Sequence, residues 1–335
     1  MLIDHYLRGD LPAAGELAHD LETIGFDGLY TAEGPHEPFF PLLLAAEHTT
    51  RPTLFTNIAV AFARNPMTLA NIGYDLQTFS KGRFRLGLGS QIKAHIEKRF
   101  SMPWSHPAPR MRELILATRA IWDCWNGGTA LDFRGEFYRH TLMTPFFVPG
   151  PNPYGNPKIS LAAVGTHMTE VAAEVADGII LHAFTTERYV REVTMPALER
   201  GFAKAGKSRD DFEISGPLFI VSGADEEQLE KAKQGTKQQI AFYGSTPAYR
   251  GVLELHGWGD LQDELNRLSK QGEWVAMGDL ITDDILDAFA IVGEPEDIPK
   301  AMLARYGGIV DRLSFYAPYQ SDPERWKQVL AGFRE

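Results

Sequence analysis

The sequence predicts an α/β protein built of repeated parallel β/α units, and two observations carry that expectation. Strand-like and helix-like segments alternate along the 335-residue chain, giving eight strands with helical connections. No composition shift or internal repeat interrupts the alternation, so residues 1–335 read as one domain.

The elements follow in order. "LIDHY" is a short strand, and "LPAAGELAHDLETIG" is a helix with Leu17, Leu21 and Ile24 at helical spacing and Gly25 as its stop. "FDGLYTAE" is the second strand, followed by a helix over 41–48. "TLFTNIAVAF", rich in β-branched and aromatic residues, reads as one continuous third strand. Pro66 opens the next helix, which ends before Lys81-Gly82. "RFRLGLG" is strand four, and "PRMRELILATRAIWDCW" is a strongly amphipathic helix. "KISLAAVG", "DGIILHAF", "EISGPLFIVSG" and "VDRLSFYA" complete the strands, with helices around 168–176 and 189–205 and a closing helix over 323–333.

Two segments break the rhythm. "PFFVPGPNPYGNP" holds five prolines in 13 residues and must be an irregular loop, on the side where helices lead into strands. Residues 225–294 supply three or four helices after strand seven. That insertion leaves from the C-terminal end of a strand, where barrel active sites are built, and so is expected to shape a substrate site.

The bulk numbers exclude several classes. An excess of Asp and Glu over Lys and Arg (44 against 33) gives a net charge of −11, which disfavours nucleic acid or an anionic membrane as partner. Cys124 is the only cysteine, so internal disulfides and cysteine-based metal sites are excluded; its setting in "AIWDCW" is that of a buried helix. No apolar run is long enough to span a bilayer, and the N-terminus lacks a signal-peptide layout, so a cytoplasmic protein is expected. A metal-dependent barrel hydrolase needs clustered ligands such as H-x-H at strand one, which "DHYL" lacks; no metal is expected.

The glycines of "RLGLGSQI" invite a dinucleotide-binding reading, which fails. Ile92 stands where the third glycine belongs, the following acidic-residue window falls in "PAPRMRE" outside any strand, and the motif sits at strand four rather than one. In a barrel, Phe84, Leu86 and Leu88 face the helices while Arg85, Gly87 and Gly89 face inward, where glycines clear space for a flat ligand. Ser90 and Gln91 then stand at the strand end as polar contacts, ahead of the basic run through Lys98 and Arg99. A second ligand position follows strand five. Val164 ends that strand, Gly165 permits close backbone approach, and Thr166 can cap a helix whose free N–H groups favour an anion; an ordinary β–α turn explains the same residues equally well.

"TFSKGRFRLGLGS", "DFRGEFY" and "ISLAAVGTHMTEVAAEVADGIILH" together resemble the bacterial luciferase-like flavin and deazaflavin oxidoreductases over essentially the whole chain. "RAIW", "TPFF" and "QIAFYGSTPAYR" resemble the actinobacterial branch that uses coenzyme F420. The resemblance implies a (β/α)8 TIM barrel with a cofactor across the C-terminal strand ends, hydride exchange with a small alcohol, aldehyde or activated alkene, and a homodimer or larger assembly. FMN-dependent monooxygenation on the same fold and non-catalytic deazaflavin binding are the alternatives. It further implies cofactor phosphate at Val164, Gly165 and Thr166, and a cis peptide at Asn57–Ile58 behind the ring. Relatives place an acidic residue and then a histidine after strand two; here Glu33 matches, Gly34 replaces the histidine, and His36 comes two residues later, so Glu33 and His36 are the catalytic candidates. His5, Tyr6, Trp104, His182 and Tyr316 are candidates for lining the substrate pocket, Trp104 as part of a lid.

Overall fold

The computed structural model describes residues 1–8, 10–320 and 323–334. Eight parallel strands close into a barrel: β1 (Leu2–Tyr6), β2 (Gly28–Thr31), β3 (Thr53–Thr56), β4 (Phe84–Gly89), β5 (Lys158–Ala163), β6 (Gly178–Leu181), β7 (Glu213–Val221) and β8 (Arg312–Tyr316). Each strand pairs with its sequence neighbours, β6 joins β7 (Glu213 opposite Gly178), and β8 closes on β1 (Leu313 opposite Ile3). Strand alternation explains the arrangement. Ile3, Leu29, Leu54, Leu86, Leu161, Ile179, Ile220 and Leu313 face outward into one apolar core beneath the helices.

The surrounding helices are α1 (Ala14–Ile24), α2 (Phe39–His48), α3 (Pro66–Phe79), α4 (Pro107–Gly127), α5 (Thr166–Val175), α6 (Met195–Ala205), α7 (Ile298–Tyr306) and α8 (Pro323–Ala331). Their ends follow local chemistry: Gly25 stops α1 at a φ of 108°, and the Asn65 side chain accepts the Thr68 N–H at the start of α3. Cys124 is buried in α4. Among the described residues no helix is long and apolar enough to cross a membrane.

Two expectations are corrected. The third strand is not continuous: it stops at Thr56 and resumes as Ala59–Val60 against Leu88 and Gly89, with a cis peptide at Asn57–Ile58 between. Backbone groups at the end of β2 hold this bulge, because Asn57 donates to the Thr31 carbonyl and Glu33 donates to that of Ile58. The insertion holds five helices: Glu226–Gly244, Arg250–Leu255, Gly259–Gln271, Trp274–Asp279 and Asp283–Phe289. Gly257 and Gly272, both at positive φ, and the turn at Pro247 cut what periodicity alone had merged. A second apolar cluster joins this insertion to Phe184, Phe219 and Val221 at the barrel's end.

Candidate active site

The barrel interior is stratified. At its N-terminal end, Arg312 donates to Asp4 (Nε–Oδ2 2.8 Å) and lies 3.5 Å from Glu213, which also pairs with Arg85. Both Asp4 and Arg312 are buried, so this ionic layer floors the barrel. Above it Tyr6, Tyr30 and Phe55 form an aromatic column with ring centroids 5.4 Å apart at each step. The same alternation that turns Leu29 and Leu54 outward turns Tyr30 and Phe55 inward.

At the C-terminal mouth, Tyr316 stacks on Phe219 (4.9 Å) and its hydroxyl meets that of Tyr243 at 2.9 Å. His182, the first residue beyond β6, continues the inward parity of Ile180. Its Nδ1 accepts the Phe184 N–H at 3.0 Å, and its Nε2 lies 3.4 Å from the Tyr249 hydroxyl. Burial pushes the His182 imidazole down to about 4 and holds the Tyr243, Tyr249 and Tyr316 phenols above their ordinary value. The cluster is therefore neutral near pH 7, and its hydroxyls are proton-bearing donors.

The buried neutral ring predicts a pH-dependent stability. An unfolded His182 takes up its proton near its ordinary 6.5 and the folded one only near about 4, so its contribution is complete above about pH 6.5 and is lost as pH falls towards 4. The difference amounts to at most about 3 kcal/mol. Denaturant melts of native protein and His182→Gln at the two ends of this window should diverge; parallel pH profiles refute the assignment.

Next to β6, β5 ends at Ala163, paired with Leu181, so Val164 and His182 stand side by side at the mouth. Val164 is the first residue past the strand, and its carbonyl accepts from the Tyr189 hydroxyl at 3.4 Å. Gly165 is the N-cap of α5 in extended conformation (φ −79°, ψ 154°) with no side-chain cap, and nothing lies within 4 Å of where a Cβ would stand. Thr166, expected as the cap, is instead the first helical residue, and no side chain caps the N–H groups of the first turn.

Other candidates are placed differently from expectation. His5 shares the outward face of Ile3, with its ring 4.7 Å from Phe26, so it packs under the helices and not in the pocket. Glu33 is not free to act as acid or base: its Oε2 accepts the Val60 N–H (2.7 Å) and pairs with Arg64 (2.6 Å), anchoring the bulge. His36 lies exposed on the loop after β2, which Arg99 reaches through the Gly34 carbonyl. Trp104 is no loose lid, since its ring packs edge-on against buried Phe62 at 5.6 Å. Gln91 has a φ of 59° and its amide oxygen accepts the Ile92 N–H, while the Ser90 hydroxyl donates to the Gln91 carbonyl. The space expected from the strand-four glycines is filled by the bulge itself: a Cβ on Gly87 would meet the Thr56 carbonyl, and one on Gly89 the Ile58 side chain. Tyr30 and Phe55 of the aromatic column and Tyr243 and Tyr249 at the mouth also line the site, and no motif in the sequence marks them as site residues. Alternation in β2 and β3 signals the first pair, whereas nothing local places the second.

Residues 4–312 match the model of the luciferase-like monooxygenase family. The uncharacterized protein Rv1360 of Mycobacterium tuberculosis is 58% identical, over 93% of this chain and 92% of its own. The 5,10-methylenetetrahydromethanopterin reductase of Archaeoglobus fulgidus is 31% identical, over 69% of this chain and 66% of its own. Among solved structures, the coenzyme F420-dependent tetrahydromethanopterin reductase of Methanopyrus kandleri superposes with a TM-score of 0.79 at 20% identity, covering 98% of this chain and 96% of that one. With the family match running from β1 to the start of β8 of the closed barrel, the chain belongs to the luciferase-like monooxygenase family of enzymes.

Proposed function

We propose that the protein is an F420-dependent oxidoreductase that exchanges hydride between the deazaflavin and a small organic substrate. One observation carries the reading: the open N-terminus of α5 and the neutral His182–tyrosine cluster stand on adjacent strand ends, β5 and β6, at one mouth. The first is suited to a phosphate and the second to a hydroxyl or carbonyl. The related reductase from Archaeoglobus fulgidus supports the same chemistry.

The residues present fit such a cofactor, since Gly165 leaves its backbone uncovered and the mouth is lined by aromatic rings. Bound F420 supplies a deazaflavin ring that accepts or gives hydride. Val164, Gly165 and Thr166 would hold its phosphate through backbone N–H groups. Asn57, Ile58 and Gly89 would back the ring, with Ser90 and Gln91 as polar contacts at its edge. Glu33 acts by fixing the bulge, and His36, exposed on the loop after β2, would be the remaining acid–base candidate. Tyr6, His182 and Tyr316 line the substrate side. A homodimer or larger assembly, drawn from the family resemblance, and a cytoplasmic location belong to the same reading.

Titrating the protein into F420 and, separately, into FMN while following cofactor fluorescence tests this reading. Saturable F420 binding without comparable FMN binding is the expected result. Tight FMN and absent F420 binding would instead identify an FMN-dependent monooxygenase. F420 binding with no turnover of any alcohol, aldehyde or activated alkene would leave a non-catalytic deazaflavin-binding protein.

A further inference from the structure

The hydrogen-bond pattern around His182 fixes where its proton lies. Nδ1 accepts the Phe184 N–H, so the neutral ring carries its hydrogen on Nε2. That hydrogen faces the Tyr249 oxygen across a long 3.4 Å contact, which leaves the Tyr249 hydroxyl hydrogen uncommitted. Two donors, one N–H and one O–H, therefore stand side by side at the end of β6. Tyr249 is brought there by the insertion, on the 3-10 turn Pro247–Tyr249, and is held by stacking on Phe184 at 5.9 Å.

The walls around this pair are uncharged. Tyr243 touches the His182 ring edge-on at 4.7 Å and shares a hydroxyl contact with Tyr316, while Phe184 and Phe219 close the apolar side. Burial alone depresses the His182 ring, with no charged neighbour contributing. The exposed Arg8 is the charged group whose field reaches Tyr316. A carboxylate or phosphate substrate seated here would lose hydration without gaining a buried cation.

Resting on the deazaflavin reading above, we infer that His182 Nε2–H and Tyr249 O–H together seat the oxygen of an uncharged carbonyl or alcohol substrate, with Tyr249 as its proton donor. In the reducing direction, hydride from reduced F420 forms the new C–H bond at the carbonyl carbon. The C=O π pair moves to oxygen and takes the Tyr249 proton, and the tyrosinate recovers a proton from water. Alcohol oxidation is the exact reverse, with oxidised F420 taking the hydride. Each donor then forms its own bond to the substrate oxygen, since catalytic hydrogen bonds tighten once the reacting oxygen arrives.

The experiment uses F420-loaded full-length protein with a panel of uncharged ketones and aldehydes (acetone, cyclohexanone, benzaldehyde) and carboxylate-bearing counterparts (pyruvate, 4-carboxybenzaldehyde). F420 affinity is measured first by fluorescence, so failure to bind cofactor counts against the parent reading and not against this pair. The native protein should turn over members of the uncharged set and none of their anionic counterparts faster. Tyr249→Phe should lower kcat by about 100-fold or more while leaving F420 affinity unchanged. His182→Gln, which retains an N–H donor, should keep roughly tenfold more activity than His182→Leu. The inference is overturned if bound F420 is reactive only with the anionic set or with none of the panel. It is equally overturned if Tyr249→Phe turns over at the native rate, or if the Gln and Leu variants of His182 are equal.

Discussion

Gly165→Asp will bind coenzyme F420 about 100-fold more weakly than the native chain, or worse, while melting at the same temperature or slightly above it. The opposite signs follow from one position. Gly165 is the N-cap of α5, its backbone is already extended, and nothing lies within 4 Å of a Cβ placed there. An aspartate fits without strain and can accept a free N–H of the first turn, worth a few tenths of a kcal/mol over glycine. The same carboxylate occupies the donors and the positive end of the helix dipole that an incoming phosphate needs. Fluorescence titration and a thermal melt of the two proteins check both halves. If Gly165 and Thr166 form only a β–α turn, F420 affinity stays at the native value.

Gly87→Ala will destabilise the protein by about 3 kcal/mol or more, whereas Gly89→Ala, two residues along the same strand, will cost roughly 1 kcal/mol. An added methyl at Gly87 would stand 1.7 Å from the Thr56 carbonyl oxygen, a backbone atom that cannot swing aside. That stretch is also where the Thr56 hydroxyl bridges β3 to β4, donating to the Gly87 carbonyl at 2.6 Å and accepting its N–H at 3.0 Å. At Gly89 the obstacle is the Cδ1 of Ile58 at 2.8 Å, the far end of a flexible side chain. Denaturant melts of both variants test the contrast, and equal losses would refute it.

The pair of glycines also marks the limit of reading the site from the chain. That Gly87 and Gly89 face the barrel interior was legible, because strand alternation depends only on neighbouring residues. What fills that interior was not: the vacated space belongs to Thr56 and Ile58 from the bulge after β3, a long-range contact with no local signature. His5 shows a different failure. Its outward direction is readable from Ile3, which shares its face; a position at a strand end does not by itself turn a side chain inward. Glu33 stands just past β2, yet its partners Val60 and Arg64 lie 27 and 31 residues on, and they convert it from an acid-base candidate into an anchor.

The sequence by itself determined the eight β/α units, the insertion after strand seven and the family, but it put the cap of α5 at Thr166, one residue past the actual N-cap Gly165. Each of these rests on local periodicity, turn chemistry or motifs that survive as short strings. Only the tertiary structure decided which side chains meet at the mouth. Tyr243 and Tyr249 arrive from the insertion more than 60 residues beyond His182 and are brought to it by closure of the barrel and packing of the second apolar cluster. Such contacts depend on how whole elements dock, which no stretch of neighbouring residues encodes.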